Sequence, residues 1–312
     1  MKTLKVILAG GSGFVGQLLI DHWQHAAVDI VVLTRKPYAD HDQVRYVVWD
    51  GETLGAWVQE LNNADVLINL AGKSVDCRYT ASNKALILRS RISPTTILGT
   101  AIRQLPKPPR LWINAASATI YRHAPDRPMD ELTGDIDNGL PEHEFSVQVC
   151  KRWEEAFWTA ETPETVRKVA LRMAIVLGQK GGAFPLLKRL TRFGLGGKMG
   201  DGNQFISWLH ERDLGRIFDF IITNNSVSGT LNASAPNPVR NHQFMALLRQ
   251  SLAIPFGLPA NEWMLEVGAV LLGTETELLL KSRNVVPKRL LDAGFMFDYT
   301  NAENAIDALT TK

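Results

Sequence analysis

A glycine-rich segment close to the amino terminus constrains the fold more than any other feature of the chain. It reads Ala9-Gly10-Gly11-Ser12-Gly13-Phe14-Val15-Gly16, and it lies between an apolar run, Leu4–Ala9, and residues with helical apolar spacing, Phe14–Trp23. Glycines in this pattern permit a tight turn, a close backbone approach to a diphosphate and close contact between helix and strand. The amino end of the helix supplies partial positive charge. The segment therefore predicts a nucleotide diphosphate site at Gly10, Ser12, Gly13, Phe14, Val15 and Gly16, with a glycine-rich loop that binds no ligand as the alternative.

The first 175 residues alternate between short β-branched runs and amphipathic segments. Besides Leu4–Ala9, the predicted strands are Asp29–Leu33, Val44–Trp49, Asp65–Leu70, Leu111–Ala115 and Lys168–Arg172. Besides Phe14–Trp23, the predicted helices are Leu54–Asn62, Ala81–Gln104 and Glu144–Ala160. Strands that are apolar along their whole length indicate a sheet covered on both faces. The predicted fold is therefore α/β, a Rossmann-like doubly wound parallel sheet with a smaller C-terminal region on the substrate side.

The pattern changes after residue 178, where a stretch rich in glycine and basic residues begins. The helices predicted beyond it are Glu211–Thr223 and Asn241–Leu252, and Pro255 and Pro259 indicate a linker. We predict that residues 1–178 form the nucleotide-binding domain and that residues 179–253 form a lobe on the substrate side. Residues 254–312 are predicted to form a small C-terminal module, which either closes over the cleft or covers an apolar surface.

The composition excludes several classes of function. Lys and Arg total 34 against 32 for Asp and Glu, so the charge gives no footprint for a nucleic acid or an anionic membrane. Two cysteines, Cys77 and Cys150, cannot form a disulfide framework, and a reduced, cytoplasmic location suits them best. No apolar run approaches the roughly 20 residues that a membrane span requires. The expected partner is therefore a small molecule, and no metal site is predicted.

The end of the second predicted strand indicates which cofactor would bind. An acidic residue at this place would hold a ribose 2′-hydroxyl, whereas Arg accommodates a 2′-phosphate. The sequence there is Val32-Leu33-Thr34-Arg35-Lys36-Pro37, with no acidic residue before Asp40. Arg35 and Lys36 therefore predict NADP(H) in preference to NAD(H), unless they only form a solvated loop end.

Several further segments occur in order along the chain. They are Asp65–Gly72, Ser117–Tyr121, Trp153-Glu154-Glu155, Gln204–His210 followed by Asp213, and Val286–Leu290. With the glycine-rich turn, they resemble the extended short-chain dehydrogenase/reductase superfamily. More narrowly, they resemble its atypical NAD(P)-dependent epimerase/dehydratase-like branch, which has its own C-terminal domain. The resemblance covers essentially the whole chain and implies that Asp50 lies near the adenine. It also implies that the cofactor is lined by Leu70, Ala71, Gly72 and Ala115.

The same resemblance implies a catalytic Ser or Thr acting with a Tyr-x-x-x-Lys motif. Ser117 matches the first part and would polarise a substrate carbonyl or hydroxyl. None of the five tyrosines has a lysine four residues after it, so the second part is absent. Aligning Trp153-Glu154 with the family's helix places Ser146 at the Tyr position and Cys150 at the Lys position. A Ser hydroxyl is a far weaker acid than a phenol, and Cys150 carries no fixed positive charge.

Other side chains would then have to move the proton or hold the substrate. His210 and His123 have a side chain whose ordinary pKa suits proton transfer, and His210 is the predicted catalytic residue because the resemblance places it on the substrate side. The predicted substrate-binding residues are Arg78, Arg91, Gln204 and Trp208. Arg91 stands where extended members tend to carry an Asn.

The sequence leaves two functions open. The first is an NADP-dependent oxidoreductase or epimerase-like enzyme that transfers a hydride, with a nucleotide sugar suggested only by the habits of the family. The second is a non-catalytic NADP-binding module that senses nucleotide or redox state. A homodimer through helices in the region 81–160 is expected by analogy.

Overall fold

The computed structural model describes residues 3–136, 145–266 and 280–311. Its strands are β1 Leu4–Ala9, β2 Val28–Thr34, β3 Val44–Val48, β4 Val66–Asn69, β5 Leu111–Ser117, β6 Arg167–Met173, β7 Ile175–Leu177, β8 Phe205–Ile206, β9 Trp208–His210, β10 Gly229–Ala233 and β11 Val239–Arg240. Seven of them form one sheet in the order β10-β6-β5-β4-β1-β2-β3. All neighbours in this sheet are parallel. The sheet confirms the predicted Rossmann-like fold class.

Helices connect the strands and cover both faces of the sheet. They are α1 Phe14–Trp23, α2 Val58–Leu61, α3 Ala81–Gln104, α4 Phe145–Trp158, α5 Phe184–Arg192, α6 Glu211–Thr223, α7 Asn241–Ser251, α8 Lys288–Asp292 and α9 Ala302–Thr310. The predicted helix Leu54–Asn62 was too long, because only α2 within it is helical. Asp50 accepts hydrogen bonds from the backbone of Glu52 and Thr53, which fixes a turn in front of α2. The predicted start of α4 at Glu144 lies outside the described residues.

Alternate residues of the central strands point to different helical layers. Val6 and Leu8 of β1 belong to the core that α1 and α6 cover, together with Phe218 of α6. Ile7 of the same strand belongs to a second core, together with Leu98 of α3. Both faces therefore exclude water, which is why the sequence is apolar along whole strands and does not alternate.

The lobe beyond β6 has a core of its own. Two short sheets lie there, with β7 paired to β9 in parallel and β8 paired to β11 in antiparallel. Helices α5, α7 and α9 contribute Phe184, Leu248 and Ile306 to one buried cluster. The last helix of the chain thus packs on the same core as the lobe. The predicted domain boundaries at 178 and 254 stay predictions.

Two searches of the described part of the chain found no candidates. None of the helices described is both long and apolar enough to cross a membrane. Within the same residues no group of three or more His, Cys, Asp or Glu side chains is arranged to hold a metal ion.

A buried ion pair joins α4 to the central sheet. Arg172 of β6 donates from Nε and Nη2 to the two carboxylate oxygens of Glu154 on α4, each at 2.7 Å. Its Nη1 donates to the Tyr121 hydroxyl at 2.8 Å, and that hydroxyl donates to Oδ1 of Asn232 on β10 at 3.0 Å. All four residues are buried. This network therefore locks together α4, β6, β10 and the segment that follows β5.

We expect Glu154→Ala to lower the free energy of unfolding by about 3–5 kcal/mol, because it leaves the Arg172 guanidinium buried without its counter-charge. Urea denaturation of the full chain measures this. Glu155→Ala is the matched control, since Glu155 is exposed on the same helix, and its effect should stay within about 0.5 kcal/mol. Equal effects of the two substitutions would contradict a structural role for the pair.

Candidate active site

The glycine-rich turn lies at the carboxyl end of β1, where open parallel sheets bind ligands. Gly10 has a φ of 77°, and a Cβ there would lie 2.7 Å from the Cα of Ala71. A Cβ on Gly16 would lie 2.1 Å from the carbonyl oxygen of Gly11. Packing thus requires glycine at both positions. A Cβ on Gly13 would meet only the Gly10 carbonyl oxygen, at 3.7 Å, so the turn is open on that side.

The amino end of α1 is built to receive an anion. Gly13 is its N-cap residue and offers no side-chain cap. The backbone N–H groups of Phe14 and Val15 make no hydrogen bond within the described ranges. Ser12 is exposed, and its Oγ accepts a hydrogen bond of 3.4 Å from Thr34 Oγ1 at the end of β2. These residues therefore fit the diphosphate of a dinucleotide cofactor.

The Phe14 ring packs against a loop far along the chain. A Cβ on Gly178, Gly181 or Gly182 would lie 2.6, 2.4 or 3.0 Å from atoms of that ring. The side chain of Phe14 is thus used in packing, so only its backbone N–H would contact a ligand. The sequence showed the glycines but gave no signal that they accommodate Phe14.

Arg35 and Lys36 directly follow β2, one residue beyond the hydroxyl pair that links Thr34 to Ser12. Both side chains are exposed. Neither makes an ion pair or a hydrogen bond with any residue that the structure describes. Two unneutralised cations therefore stand beside the proposed diphosphate site. Their contact with a 2′-phosphate stays a prediction.

Asp50 lies after β3 at the same edge of the sheet and is exposed. Its carboxylate accepts hydrogen bonds from the Thr53 hydroxyl, the Thr53 N–H and the Glu52 N–H. These bonds lower its pKa to about 2, with the Thr53 hydroxyl as the largest cause. Asp50 therefore stabilises the turn, and its place near an adenine stays a prediction.

Buried amides fix the loop after β4. Asn69 Oδ1 accepts a hydrogen bond of 3.1 Å from the Ala71 N–H. Its Nδ2 donates to Thr95 Oγ1 at 3.0 Å and to Asn114 Oδ1 at 2.7 Å, and Asn114 in turn donates to the Ala115 carbonyl. The network thus fixes the backbone of Ala71 and Ala115, two of the four predicted cofactor-lining residues Leu70, Ala71, Gly72 and Ala115. Sequence reasoning missed it, although polar residues inside apolar strands were a signal.

Ser117 ends β5, and its Oγ accepts a hydrogen bond of 3.2 Å from the Thr119 N–H. It lies beside Cys150, whose thiol is fully buried in α4. Burial raises the pKa of the Cys150 thiol to about 11, although Arg91, Lys281 and Ser117 act in the opposite direction. The thiol is therefore neutral at physiological pH. Ser146, one turn earlier on α4, is buried.

Two cations that sequence reasoning missed lie beside Ser117. Lys281 Nζ donates to the Thr119 carbonyl oxygen at 3.1 Å, and Arg283 Nε donates to Thr119 Oγ1 at 3.2 Å. Both side chains are buried. The residue between them, Ser282, accepts a hydrogen bond at its carbonyl oxygen from Ala124. The C-terminal part of the chain thus forms one wall of the region around Ser117.

The contacts of His210 and Trp208 favour structural roles. His210 Nδ1 accepts a hydrogen bond from the Arg212 N–H and caps α6, while its ring stacks on Tyr299 with centroids 3.8 Å apart. Burial, with Arg212 nearby, lowers the pKa of His210 to about 4. Trp208 is fully buried, and its Nε1 donates to the Asn237 carbonyl. The catalytic role of His210 and the substrate role of Trp208 stay predictions.

The other predicted substrate residues have different surroundings. Arg78 lies in the loop after β4 and forms an ion pair of 3.4 Å with Glu266. Gln204 lines a cavity of about 180 Å³ with His123 and Glu262. Arg91 lies against Gly72, where a Cβ would be 3.2 Å from the guanidinium carbon. Of the four predicted residues, Arg78 and Arg91 are therefore at the loop after β4.

Comparison with known proteins identifies the family. Residues 6–233 match the profile described as the NAD dependent epimerase/dehydratase family, and residues 261–309 match a domain of unknown function, DUF1731. The chain belongs to the NAD dependent epimerase/dehydratase family, which confirms the resemblance that the sequence motifs carry.

Relatives of similar length exist in bacteria and mammals. Epimerase family protein YfhF of Bacillus subtilis (strain 168) is 31% identical over 307 residues, which cover 98% of each chain. The structure of the human epimerase family protein SDR39U1 (isoform 2) with NADPH is 27% identical, with a TM-score of 0.85 over 98% of this chain and 99% of that one. MoeE5 in complex with UDP-glucuronic acid and NAD has a TM-score of 0.75 over 98% of this chain and 97% of its own, but at 19% identity it shows the fold alone.

We expect the native Cys77→Ala variant to show no thiol that reacts with a disulfide-exchange reagent at pH 8. Only the thiolate reacts, and burial holds the pKa of Cys150 at about 11. The same variant in urea should show one reactive thiol, counted by absorbance. While the protein stays folded, the reaction rate should rise as the pH approaches 11. Rapid reaction in the native state at pH 8 would contradict this environment.

Proposed function

We propose that the protein is an NADP(H)-dependent oxidoreductase or epimerase-like enzyme that acts on a small molecule. The observation that carries the proposal is the pair of exposed cations, Arg35 and Lys36, beside a glycine turn that is open at Gly13. The structure of the human SDR39U1 with NADPH supports this cofactor. When bound, the nicotinamide ring would donate or accept the hydride.

The turn from Gly10 to Gly16 would hold the diphosphate, and Arg35 with Lys36 would hold the 2′-phosphate. Ser117 would bind the substrate oxygen at the reacting carbon. Its Oγ accepts the Thr119 N–H and also interacts with the Cys150 thiol, and its O–H would turn to donate to the substrate oxygen. A hydroxyl donor at this place would stabilise negative charge that develops on that oxygen.

A non-catalytic NADP-binding module is the second candidate. It is favoured by Ser146 and the neutral thiol of Cys150, which stand where the resemblance expects the phenol and the ammonium. Tyr121, the tyrosine nearest to Ser117 along the chain, cannot take over as the acid. Its hydroxyl is held by Arg172 and Asn232, and burial raises its pKa.

The substrate, the assembly and the location of the protein stay proposals. Nucleotide sugars are bound by the structurally similar MoeE5, and they form one group in the substrate panel described below. A homodimer would use α3 and α4, which pack side by side and leave a groove lined by Thr96, Arg103 and Thr159. A cytoplasmic location suits the two cysteines, which are both free.

We expect Arg35→Ala to weaken NADPH binding at least tenfold and NADH binding less than threefold, because charge-assisted hydrogen bonds to the extra phosphate are lost. Titrations that follow cofactor fluorescence measure both affinities. Arg103→Ala is the control, because Arg103 is exposed at the carboxyl end of α3, where it pairs with Glu161. An equal loss for the two cofactors would contradict the proposed preference.

We expect the wild-type protein to oxidise NADPH with at least one member of a panel of aldehydes, quinones and sugar nucleotides. Ser117→Ala should then lower kcat by about 10²–10³ while the NADPH affinity stays unchanged, since one oxyanion donor is lost. Absorbance at the NADPH band follows the reaction. Binding of NADPH without turnover across the panel would favour the non-catalytic module.

A further inference from the structure

Arg91 on α3 is fixed against the loop after β4 by three kinds of contact. Its Nη1 donates to the carbonyl oxygens of Lys73 at 3.0 Å and Ile87 at 3.1 Å. Its guanidinium carbon lies 5.1 Å from the centre of the Trp153 ring on α4. The guanidinium packs closely on Gly72, because a Cβ at that residue would lie 3.2 Å from the guanidinium carbon. The guanidinium therefore has one well-defined position.

The positive charge of Arg91 is not neutralised by any residue that the structure describes. No carboxylate among the residues of the described ranges lies within 4.0 Å of its guanidinium, whereas buried Arg172 is paired with Glu154 at 2.7 Å. Burial lowers the pKa of Arg91, yet a guanidinium stays protonated in proteins. A partly buried cation without a counter-charge is unfavourable. An anionic ligand that supplied the missing charge would offset this cost.

The remaining donors of Arg91 suit a carboxylate. The guanidinium has five N–H donors, and the two on Nη1 are taken by the backbone carbonyls. The N–H groups on Nε and Nη2 have no acceptor within the described part of the chain. They point from the same edge of the plane, which is the geometry that a carboxylate accepts through both oxygens.

Arg91 lies near the end of β5 that carries Ser117. Its guanidinium packs against Gly72, and Gly72 and Ser117 each lie three residues beyond Asn69 and Asn114, which stand opposite each other in the paired strands β4 and β5. Gly72, which the guanidinium faces, is exposed at the carboxyl end of β4. An anion on Arg91 would therefore lie near the oxygen that Ser117 is proposed to hold.

We propose that Arg91 binds a carboxylate of the substrate, so that the enzyme acts on a small carboxylic acid whose reacting oxygen lies on Ser117. This inference rests on the proposed function and narrows its substrate class. Lys281 lies on the Thr119 side of the same region and adds positive potential there.

The test is calorimetric titration of malonate into the NADPH-saturated protein at low chloride. We expect malonate to bind and Arg91→Met to weaken this binding at least tenfold. Arg91→Lys keeps the positive charge but not the paired N–H donors of a guanidinium, so its loss of malonate affinity should be smaller than that of Arg91→Met. Arg89→Met is the matched control, because Arg89 is exposed two residues away and pairs with Glu52, and it should bind like the wild type.

Other results would overturn the proposal. Equal malonate affinity in the wild type and Arg91→Met would show that Arg91 does not bind the carboxylate. Dependence on Arg91 for inorganic phosphate but not for malonate would make the ligand a phosphate. Weaker NADPH binding in Arg91→Met, with malonate unaffected, would assign Arg91 to the cofactor. If the wild type fails to bind NADPH, the proposed function fails, and malonate titration of the cofactor-free protein still tests Arg91.

Discussion

Burial of the parallel sheet on both faces is the constraint on which the rest of the structure depends. Because α1 and α6 cover one face and α3 and α4 the other, ligands can approach the strands only at their ends. All seven strands run in the same direction, so the glycine turn, the loop after β4 and Ser117 all lie at the carboxyl ends of the strands. These three parts of the chain are far apart in sequence but lie at the same end of the sheet.

The periodicity of the sequence was sufficient to predict the central elements. Every strand of the sheet except β10 was predicted to within a residue or two, because continuous apolar runs have no other stable place than a doubly covered sheet. Helix Leu54–Asn62 was overpredicted because apolar spacing does not register the turn that Asp50 caps. Local hydrogen bonds of this kind compete with a helix and leave little trace in apolar periodicity.

Contacts between distant residues account for most of what sequence reasoning missed in the site. Lys281 reaches Thr119 across 162 positions, and no local pattern indicates which loop a lysine will meet. The glycines at 178, 181 and 182 were visible, but their reason, the Phe14 ring, lies at the other end of the domain. Conversely, Arg91 was found by alignment to a family position. That no described residue neutralises its charge is a property of the packed structure alone.

The resemblance places Ser146 and Cys150 where the family carries a phenol and an ammonium, which would change where charge resides in the proposed site. The family pattern places a cation on α4, whereas here α4 carries a neutral, fully buried thiol. Positive charge comes instead from Arg91 on α3 and from Lys281 in the C-terminal segment, which both interact electrostatically with that thiol. Tyr121 is committed to Arg172 and Asn232, whereas Tyr79 interacts electrostatically with Arg91. A site with fixed cations and a hydroxyl donor suits the anionic substrate proposed above. This difference separates the chain from Tyr-x-x-x-Lys enzymes that share its fold.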